Sequence, residues 1–180
     1  MLADKLNQLG YRAVCLSFPM YNTPTGRIVG GCYLGKPEIG ESYFPEGSVG
    51  VDPKIASLYY AADRKYNIGK IKQYIEDGYF VILDRYTSSN MAHQGCKVLD
   101  KEERFNVFQF IDKLEYWLLD LPKADITFLL HVPSEVSQEL MKNREFIDGH
   151  EKDPDYLKNA ELTYLELSEL YNWKRIDCVE

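Results

Sequence analysis

The stretch VILDRYTSSNMAHQG, residues 81–95, indicates the fold of this chain. An apolar run at residues 79–83 precedes Asp84 and Arg85, and small polar residues follow them. This order is typical of a buried parallel strand that carries charge at its carboxyl end, where open α/β sheets bind ligands. Asp84 can bind a divalent cation or accept a proton, and the planar Arg85 guanidinium suits a phosphate. The pattern favours phosphate chemistry, although an exposed Asp–Arg pair that closes a strand would look the same.

Length and charge restrict the class of protein. A chain of 180 residues, 45% hydrophobic and 27% charged, fits one globular domain with a substantial core. The net charge of −7 argues against a nucleic-acid partner, because proteins that bind nucleic acids present a basic face to the phosphate backbone. A small anionic ligand remains possible, since a local pocket needs only a few cations.

The sequence also predicts a cytoplasmic protein without a membrane segment. No run approaches the roughly 18–20 apolar residues of a membrane span, and no signal-peptide pattern precedes the first helix. The cysteines are widely spaced and form no C-x-x-C pair, which favours reduced thiols over a disulfide framework or a zinc site. They are Cys15, Cys32, Cys96 and Cys178.

Hydrophobic periodicity predicts strands that alternate with helices. The predicted helices lie at residues 2–9, 52–77, 101–119, 133–141 and 153–170, with one or two helical turns at 28–34. The predicted strands lie at residues 13–18, 79–83, 126–132 and 173–179. This alternation favours a parallel sheet covered by helices on both faces.

The long helix at residues 52–77 carries a candidate base-binding pair. Tyr60 and Arg64 are four residues apart and therefore project from the same helix face. An aromatic plane beside a guanidinium can stack on a nucleobase and hydrogen-bond to it. A cation–aromatic pair at the surface is the alternative explanation.

Several short motifs follow one another over nearly the whole chain. They are FP at 18–19, the turn to Gly26, LYYAADR at 58–64, DRY at 84–86, SS at 88–89, QG at 94–95 and LPKAD at 121–125. In their order and spacing these motifs resemble thymidylate kinase, the family that phosphorylates dTMP with ATP. The resemblance implies a P-loop-kinase-like, three-layer α/β fold, with a parallel sheet flanked by helices, as a single domain over residues 1–180.

The resemblance implies four contacts to the dTMP base. Tyr60 resembles the aromatic residue that stacks on thymine, and Arg64 resembles the arginine that hydrogen-bonds the base. Ser89 and Gln94 occupy positions at which the family places further polar contacts.

The resemblance also implies catalytic roles for Asp84, Arg85 and Arg144. Asp84 resembles the carboxylate beside the reacting phosphates and Mg²⁺, and Arg85 resembles the clamp on the dTMP phosphate. The charged segment at residues 142–153 resembles the lid that closes over ATP, in which Lys142 and Arg144 would supply cations to the transition state. A solvated charged loop is the alternative for that segment.

The chain departs from the family pattern in several places. His93 occupies an aromatic position of the family, and Met20 and Tyr21 stand where an arginine often reaches the substrate phosphate; Arg27 is a possible substitute. The sequence contains no G-x-x-x-x-G-K-[ST] motif. The resemblance therefore predicts truncation at both ends, with the central first strand, the phosphate loop and most of the ATP site missing, which puts the activity of the chain as written in question.

The predicted function is transfer of the ATP γ-phosphate to dTMP, with Mg²⁺ as cofactor and a homodimer as the expected assembly. Two alternatives remain open from the sequence. One is a kinase for another nucleotide, and the other is a non-catalytic nucleotide-binding remnant that keeps the dTMP pocket.

Overall fold

The computed structural model of the protein describes residues 2–141 and 154–179. Its helices are α1 (Leu2–Gln8), α2 (Pro24–Ile28), α3 (Gly47–Gly50), α4 (Pro53–Glu76), α5 (Thr87–Gly95), α6 (Lys101–Asp112), α7 (Ser134–Met141) and α8 (Pro154–Leu170). Its strands are β1 (Ala13–Ser17), β2 (Phe80–Asp84), β3 (Phe128–His131) and β4 (Lys174–Asp177). Two helices continue into π-helical turns, α2 at Val29–Tyr33 and α6 at Lys113–Leu118.

The strands pair in parallel, which confirms the predicted α/β class. β1 lies beside β2 with Ser17 opposite Asp84, and β3 lies beside β4 with His131 opposite Asp177. Within the described residues the four strands form two separate two-stranded sheets rather than one continuous sheet. The carboxyl ends of β1 and β2 therefore meet at one edge, which places Asp84 and the residue after it where parallel sheets bind ligands.

The burial predicted for the strand at residues 79–83 is wrong. Phe80 is 56% exposed, and Val81, Ile82 and Leu83 are only partly buried. In the second sheet, Leu130 is 65% exposed. A strand with a single hydrogen-bonded neighbour keeps an open edge and a partly open face, so an apolar run predicts the strand but not its burial.

The predicted helices at residues 2–9, 52–77 and 133–141 are confirmed within one or two residues. The predicted turns at residues 28–34 belong to a longer helical segment that begins at Pro24, because the Thr23 hydroxyl accepts a hydrogen bond from Gly26 N and caps the first turn. The sequence did not predict α5, although this short helix carries most of the polar residues of the site.

Helix α5 packs between α6 and α8 in an apolar cluster. A Cβ atom on Gly95 would lie 2.3 Å from Phe108 Cε1, so only glycine allows α5 to approach α6 this closely. This contact fixes the end of α5, whose other face bears the polar residues of the site. The buried residues of the cluster are Met91, Ala92, Val107, Phe108, Ile111 and Leu167.

Helix α4 buries a mixed face, in which Asp63 and Arg64 lie among apolar residues such as Ala61 and Ile68, and it exposes an apolar face. Its N-cap, Asp52, accepts hydrogen bonds from Lys54 N and Ile55 N. The charged residues Asp63 and Arg64 are fully buried, whereas the apolar stripe predicted at Ile55, Leu58, Tyr59, Ala62 and Tyr66 is largely exposed. Neither α4 nor another helix in the described parts of the chain is long and apolar enough to span a membrane.

Candidate active site

A small, open cleft lies at the carboxyl ends of β1 and β2; we call it the strand-end cleft. The space inside it is only about 30 Å³, so a ligand bound there would remain partly exposed to solvent. The loops after β1 and β2 form one part of its wall, and α4 and α5 form the other. The lining residues are Phe18, Pro19, Tyr60, Arg64, Arg85, Tyr86, Ser89, Asn90 and His93.

Arg85 is the cation at the mouth of the cleft. It follows β2 directly and has φ +63°, a left-handed conformation that costs about 1–3 kcal/mol for a residue other than glycine. Partial desolvation lowers the pKa of Arg85, but the nearby phenols of Tyr164, Tyr60 and Tyr21 and the Asp84 carboxylate raise it on balance. The guanidinium therefore stays charged, as a phosphate-binding role requires.

Arg64 lies deep in the cleft wall and is 2% exposed. Its Nε and Nη2 atoms each donate to a different oxygen of Glu115, at 2.5 Å. The same buried carboxylate accepts hydrogen bonds from Thr87 Oγ1 at 2.7 Å and Asn90 Nδ2 at 2.9 Å. Glu115, which sequence reasoning missed, thus holds the predicted base-binding arginine in one orientation.

Asn90 is a second lining residue that sequence reasoning missed. Its Nδ2 donates to Glu115 Oε1 and to Ser57 O, and because both are acceptors they fix the orientation of the amide. Its buried Oδ1 has no hydrogen-bond partner among the described residues. A buried acceptor without a donor is costly, so a ligand N–H that reached it from the cleft would recover free energy. The sequence did contain a signal for Asn90, because this residue directly follows Ser89, which the resemblance places in the base site.

Tyr60 belongs to an aromatic cluster beside the cleft. Its ring packs edge to face on Tyr33 at 5.7 Å, and Tyr33 stacks on Tyr59 at 5.9 Å. Lys97 Nζ donates to Tyr33 Oη at 3.2 Å and to Ser48 O at 2.8 Å, and burial lowers the pKa of Lys97 to about 8. These contacts limit the positions open to the Tyr60 ring, which suits a stacking surface.

The turn after β1 is held by a buried carboxylate. Asp63 accepts hydrogen bonds from Met20 N and Thr25 Oγ1, both at 2.9 Å, and from Asn67 Nδ2 at 2.9 Å. Met20 thus takes part through its backbone, while the substitute suggested by the sequence, Arg27, is exposed and is not among the lining residues.

The structure brings four of the predicted residues together in the cleft: Tyr60, Arg64, Arg85 and Ser89. Asp84 lies next to Arg85 but is exposed outside the cleft lining, where it accepts a hydrogen bond from Ser17 Oγ at 3.2 Å. Gln94 is fully buried and does not line the cleft, and neither atom of its amide has a hydrogen-bond partner within the described parts of the chain. Lys142 and Arg144 lie outside the described residues.

Helix α8 closes one side of α5 with two tyrosines that the sequence did not single out. Tyr164 Oη donates to Ser89 Oγ at 3.0 Å, and Tyr156 Oη lies 2.8 Å from His93 Nδ1. His93 Nε2 in turn lies 3.3 Å from Arg85 Nη1. The cleft therefore brings together a guanidinium, an aromatic ring and several polar side chains.

Comparison with known proteins gives a consistent result. The thymidylate kinase family model matches residues 1–179. The chain is similar to the thymidylate kinase of Brachyspira hyodysenteriae, at 29% identity over 95% of this chain and 73% of that protein. It is also similar to the probable thymidylate kinase of Methanocaldococcus jannaschii, at 33% identity over 87% and 69% of the two chains. In fold it resembles the structure of thymidylate kinase from Candida albicans, with a TM-score of 0.66 at 23% identity over 98% and 74% of the two chains.

Proposed function

Since the chain belongs to the thymidylate kinase family, we propose that its strand-end cleft binds dTMP. The chain is a phosphotransferase, and the reaction is transfer of the terminal phosphoryl group of ATP to dTMP, which yields dTDP. One observation carries the assignment of the site: Arg85 lines the same cleft as Asn90, whose buried Oδ1 has no hydrogen-bond partner among the described residues. In a nucleoside monophosphate, the phosphate would bind Arg85 and a donor on the edge of the base would bind Asn90 Oδ1.

The polar wall fits thymine in particular. Thymine carries an N3–H donor between two carbonyl acceptors, and Asn90 Oδ1 supplies an acceptor while Arg64 supplies donors. Cytosine has an acceptor at N3 instead, which would face Asn90 Oδ1 unfavourably. Tyr60 would stack on the base, and Ser89 would extend the polar surface. Gln94 is buried behind this surface and does not line the cleft. Its proposed contribution to base binding is therefore indirect, through its position on α5.

Arg85 would hold the dTMP phosphate during transfer. Phosphoryl transfer demands positioning and positive charge around the reacting oxygens more than covalent chemistry. Because a guanidinium stays protonated at neutral pH, Arg85 remains a donor throughout the neutral range. In our proposal Lys142 and Arg144, from the lid segment at residues 142–153, add cations on the ATP side.

The residues at the end of β2 fit a Mg²⁺ site. Magnesium commonly takes one or two carboxylates and completes its shell with water and substrate phosphates. Asp84 offers an exposed carboxylate, and the Ser17 hydroxyl lies 3.2 Å from it. Bound Mg²⁺ would neutralise charge on the phosphates of ATP. Asp84 would hold the ion, and Ser17 would orient the carboxylate.

We further propose that the enzyme is a homodimer formed through the exposed apolar face of α4. Ile55, Leu58 and Tyr66 lie on one side of this helix, and each is about half exposed or more. Phe105 on α6, which packs beside α4, is also exposed. A charge placed in this face, such as Leu58→Lys, should shift the protein from dimer to monomer in sedimentation velocity measurements. An unchanged sedimentation coefficient would contradict the assignment.

The thiols are consistent with a reducing compartment, and we propose a cytoplasmic location. None of the four cysteines forms a disulfide in the described residues. Cys96 is buried, and burial raises its pKa to about 11, so this thiol resists oxidation.

Base selectivity tests the proposed site. Calorimetric titration should show tighter binding of dTMP than of dCMP, because only thymine donates from N3. Asn90→Ala should reduce dTMP affinity about tenfold and narrow the difference between the two nucleotides. Asn106→Ala, on the exposed side of α6, is the matched control and should bind like the wild type. Equal affinity for the two nucleotides in the wild type would contradict the proposal and favour a kinase for another nucleotide.

A further inference from the structure

His93 connects Arg85 to the first turn of α8. Its Nε2 lies 3.3 Å from Arg85 Nη1, and its Nδ1 lies 2.8 Å from Tyr156 Oη. Tyr156 Oη also contacts the His93 carbonyl oxygen at 3.3 Å. The imidazole ring stacks on Tyr156 with the centroids 6.0 Å apart and meets the edge of Tyr164 at 5.7 Å. The side chain is therefore confined by contacts on several sides.

The contact with Arg85 favours one protonation state of the ring. A guanidinium only donates hydrogen bonds, so His93 Nε2 must be the unprotonated acceptor. The remaining proton then sits on Nδ1 and is donated to Tyr156 Oη, whose own hydrogen points to the His93 carbonyl oxygen. When the imidazole is neutral, each donor in this series of hydrogen bonds meets an acceptor. A doubly protonated ring would instead place two positive groups 3.3 Å apart.

We propose that neutral His93 is a positioning residue that holds the Arg85 guanidinium ready for the dTMP phosphate. The inference rests on the proposed function and deepens it. An arginine side chain loses much rotamer freedom when it binds a phosphate, and an acceptor that orders it beforehand removes part of that loss from binding. Tyr156 fixes the ring, so α8 takes part in the orientation of a residue that follows β2.

Among the described groups that face the ring, histidine is the one whose ordinary pKa lies near neutrality. Arg85 faces Nε2, Tyr156 and Tyr164 face the ring from α8, and Cys96 Sγ donates to the His93 carbonyl oxygen within α5. Burial raises the pKa of both tyrosines and of Cys96, so all three stay neutral below pH 8. An unperturbed histidine has a pKa of about 6.5 and therefore changes charge between pH 5 and 8. Acidification should therefore release Arg85 by protonating His93.

The test compares His93→Gln and His93→Phe with the wild type by calorimetry, using dTMP and thymidine between pH 5 and pH 8. Phenylalanine keeps a ring against Tyr156 but removes the acceptor, so dTMP affinity at pH 8 should fall about tenfold while thymidine affinity stays unchanged. Glutamine offers an oxygen near the Nε2 position, so it should restore most of the dTMP affinity. The unchanged thymidine affinity shows that each variant has folded.

The pH profile separates a positioning role from a packing role. The dTMP phosphate itself loses a charge near pH 6, and this effect is common to all variants. Relative to His93→Gln, wild-type affinity for dTMP should decline roughly a further tenfold from pH 8 to pH 5. His131→Gln, on β3, removes another histidine as a control and should follow the wild-type profile. NMR of ¹⁵N-labelled histidine should show the Nδ1-protonated tautomer for His93 at pH 8.

The possible failures are distinct. If His93→Phe binds dTMP as the wild type does, or if His93→Gln follows the wild-type pH profile, the positioning role is wrong and the dTMP site stands. If the wild type binds neither dTMP nor thymidine, the proposed function and this inference both fail.

Discussion

Replacement of Glu115 by glutamine should destabilise the fold strongly, because its carboxylate is the centre of a buried polar network. Oε1 accepts from Arg64 Nη2 and Asn90 Nδ2, and Oε2 accepts from Arg64 Nε and Thr87 Oγ1. Both charged partners are almost completely removed from water. Glutamine has the same size but only one acceptor, so its NH₂ group must face a donor of Arg64 in either orientation.

The cost follows from the Arg64 charge, which stays buried without a counter-charge. Breaking a buried ion pair by changing one partner typically costs about 3–5 kcal/mol. For a chain of this size, each kcal/mol corresponds to about 2–4 °C, so the midpoint of thermal unfolding should fall by about 6–20 °C. Circular dichroism during heating, together with urea denaturation at 25 °C and pH 7, measures both quantities.

The same substitution should weaken dTMP binding, since Arg64 and Asn90 both line the cleft and both depend on Glu115 for their orientation. Glu38→Gln, in an exposed loop, is the matched control and should change stability by less than about 0.5 kcal/mol. A Glu115→Gln protein that unfolds within 1 °C of the wild type would refute the role given to the network.

Three further outcomes follow from other polar groups. Asp63→Asn should cost about 2–3 kcal/mol in urea denaturation, because at least one backbone or side-chain donor would then face an NH₂ group; a loss below 0.5 kcal/mol would contradict this. Hydrogen bonds to Glu161 and Asp177 raise the pKa of His131. The contribution of His131 to the free energy of unfolding is therefore present below about pH 6.5 and is lost as pH rises through the raised pKa. The pKa of each carboxylate is lowered: in Glu161 the His131 and Ser134 hydrogen bonds outweigh desolvation, and in Asp177 the Arg175 and His131 hydrogen bonds are responsible. The stabilising contributions of the two carboxylates are lost as pH falls below about 4, so the free energy of unfolding should peak between about pH 5 and 6.5. His131→Gln should remove the decrease in stability above that range. Burial lowers the pKa of Lys97 to about 8, so the wild type should gain stability relative to Lys97→Met between pH 8 and 10, whereas parallel curves would show that Lys97 is not desolvated.

The sequence predicts the elements that follow from local pattern. An apolar run followed by Asp84 and Arg85 indicates β2 and the edge at which the site lies, because strand character and the direction of the chain are local properties. The cap Asp52–Pro53 likewise marks the start of α4 within one residue. The short motifs identify the family by their order along the chain, and this order can be read from a single sequence.

The sequence does not predict features that depend on distant neighbours. Helix α5 contains Thr87, Ser89 and Asn90, which have low intrinsic helix propensity, and forms because its apolar residues pack on α6 and α8. Glu115 lies in a π-helical turn more than 50 residues from Arg64, so no spacing rule connects the two. The exposed stripe of α4 has the periodicity of a core face, and periodicity alone does not show which face is covered.

The most direct test of the central claim is calorimetric titration of the wild type and of Arg85→Gln with dTMP and with thymidine, under the same conditions. The two ligands differ by the phosphate that Arg85 is proposed to hold. A charge-assisted hydrogen bond is worth about 1.5–3 kcal/mol, so the substitution should weaken dTMP binding about 10- to 150-fold and leave thymidine binding unchanged. An equal loss for both ligands, or no loss for dTMP, would contradict the assignment of the strand-end cleft as the dTMP site.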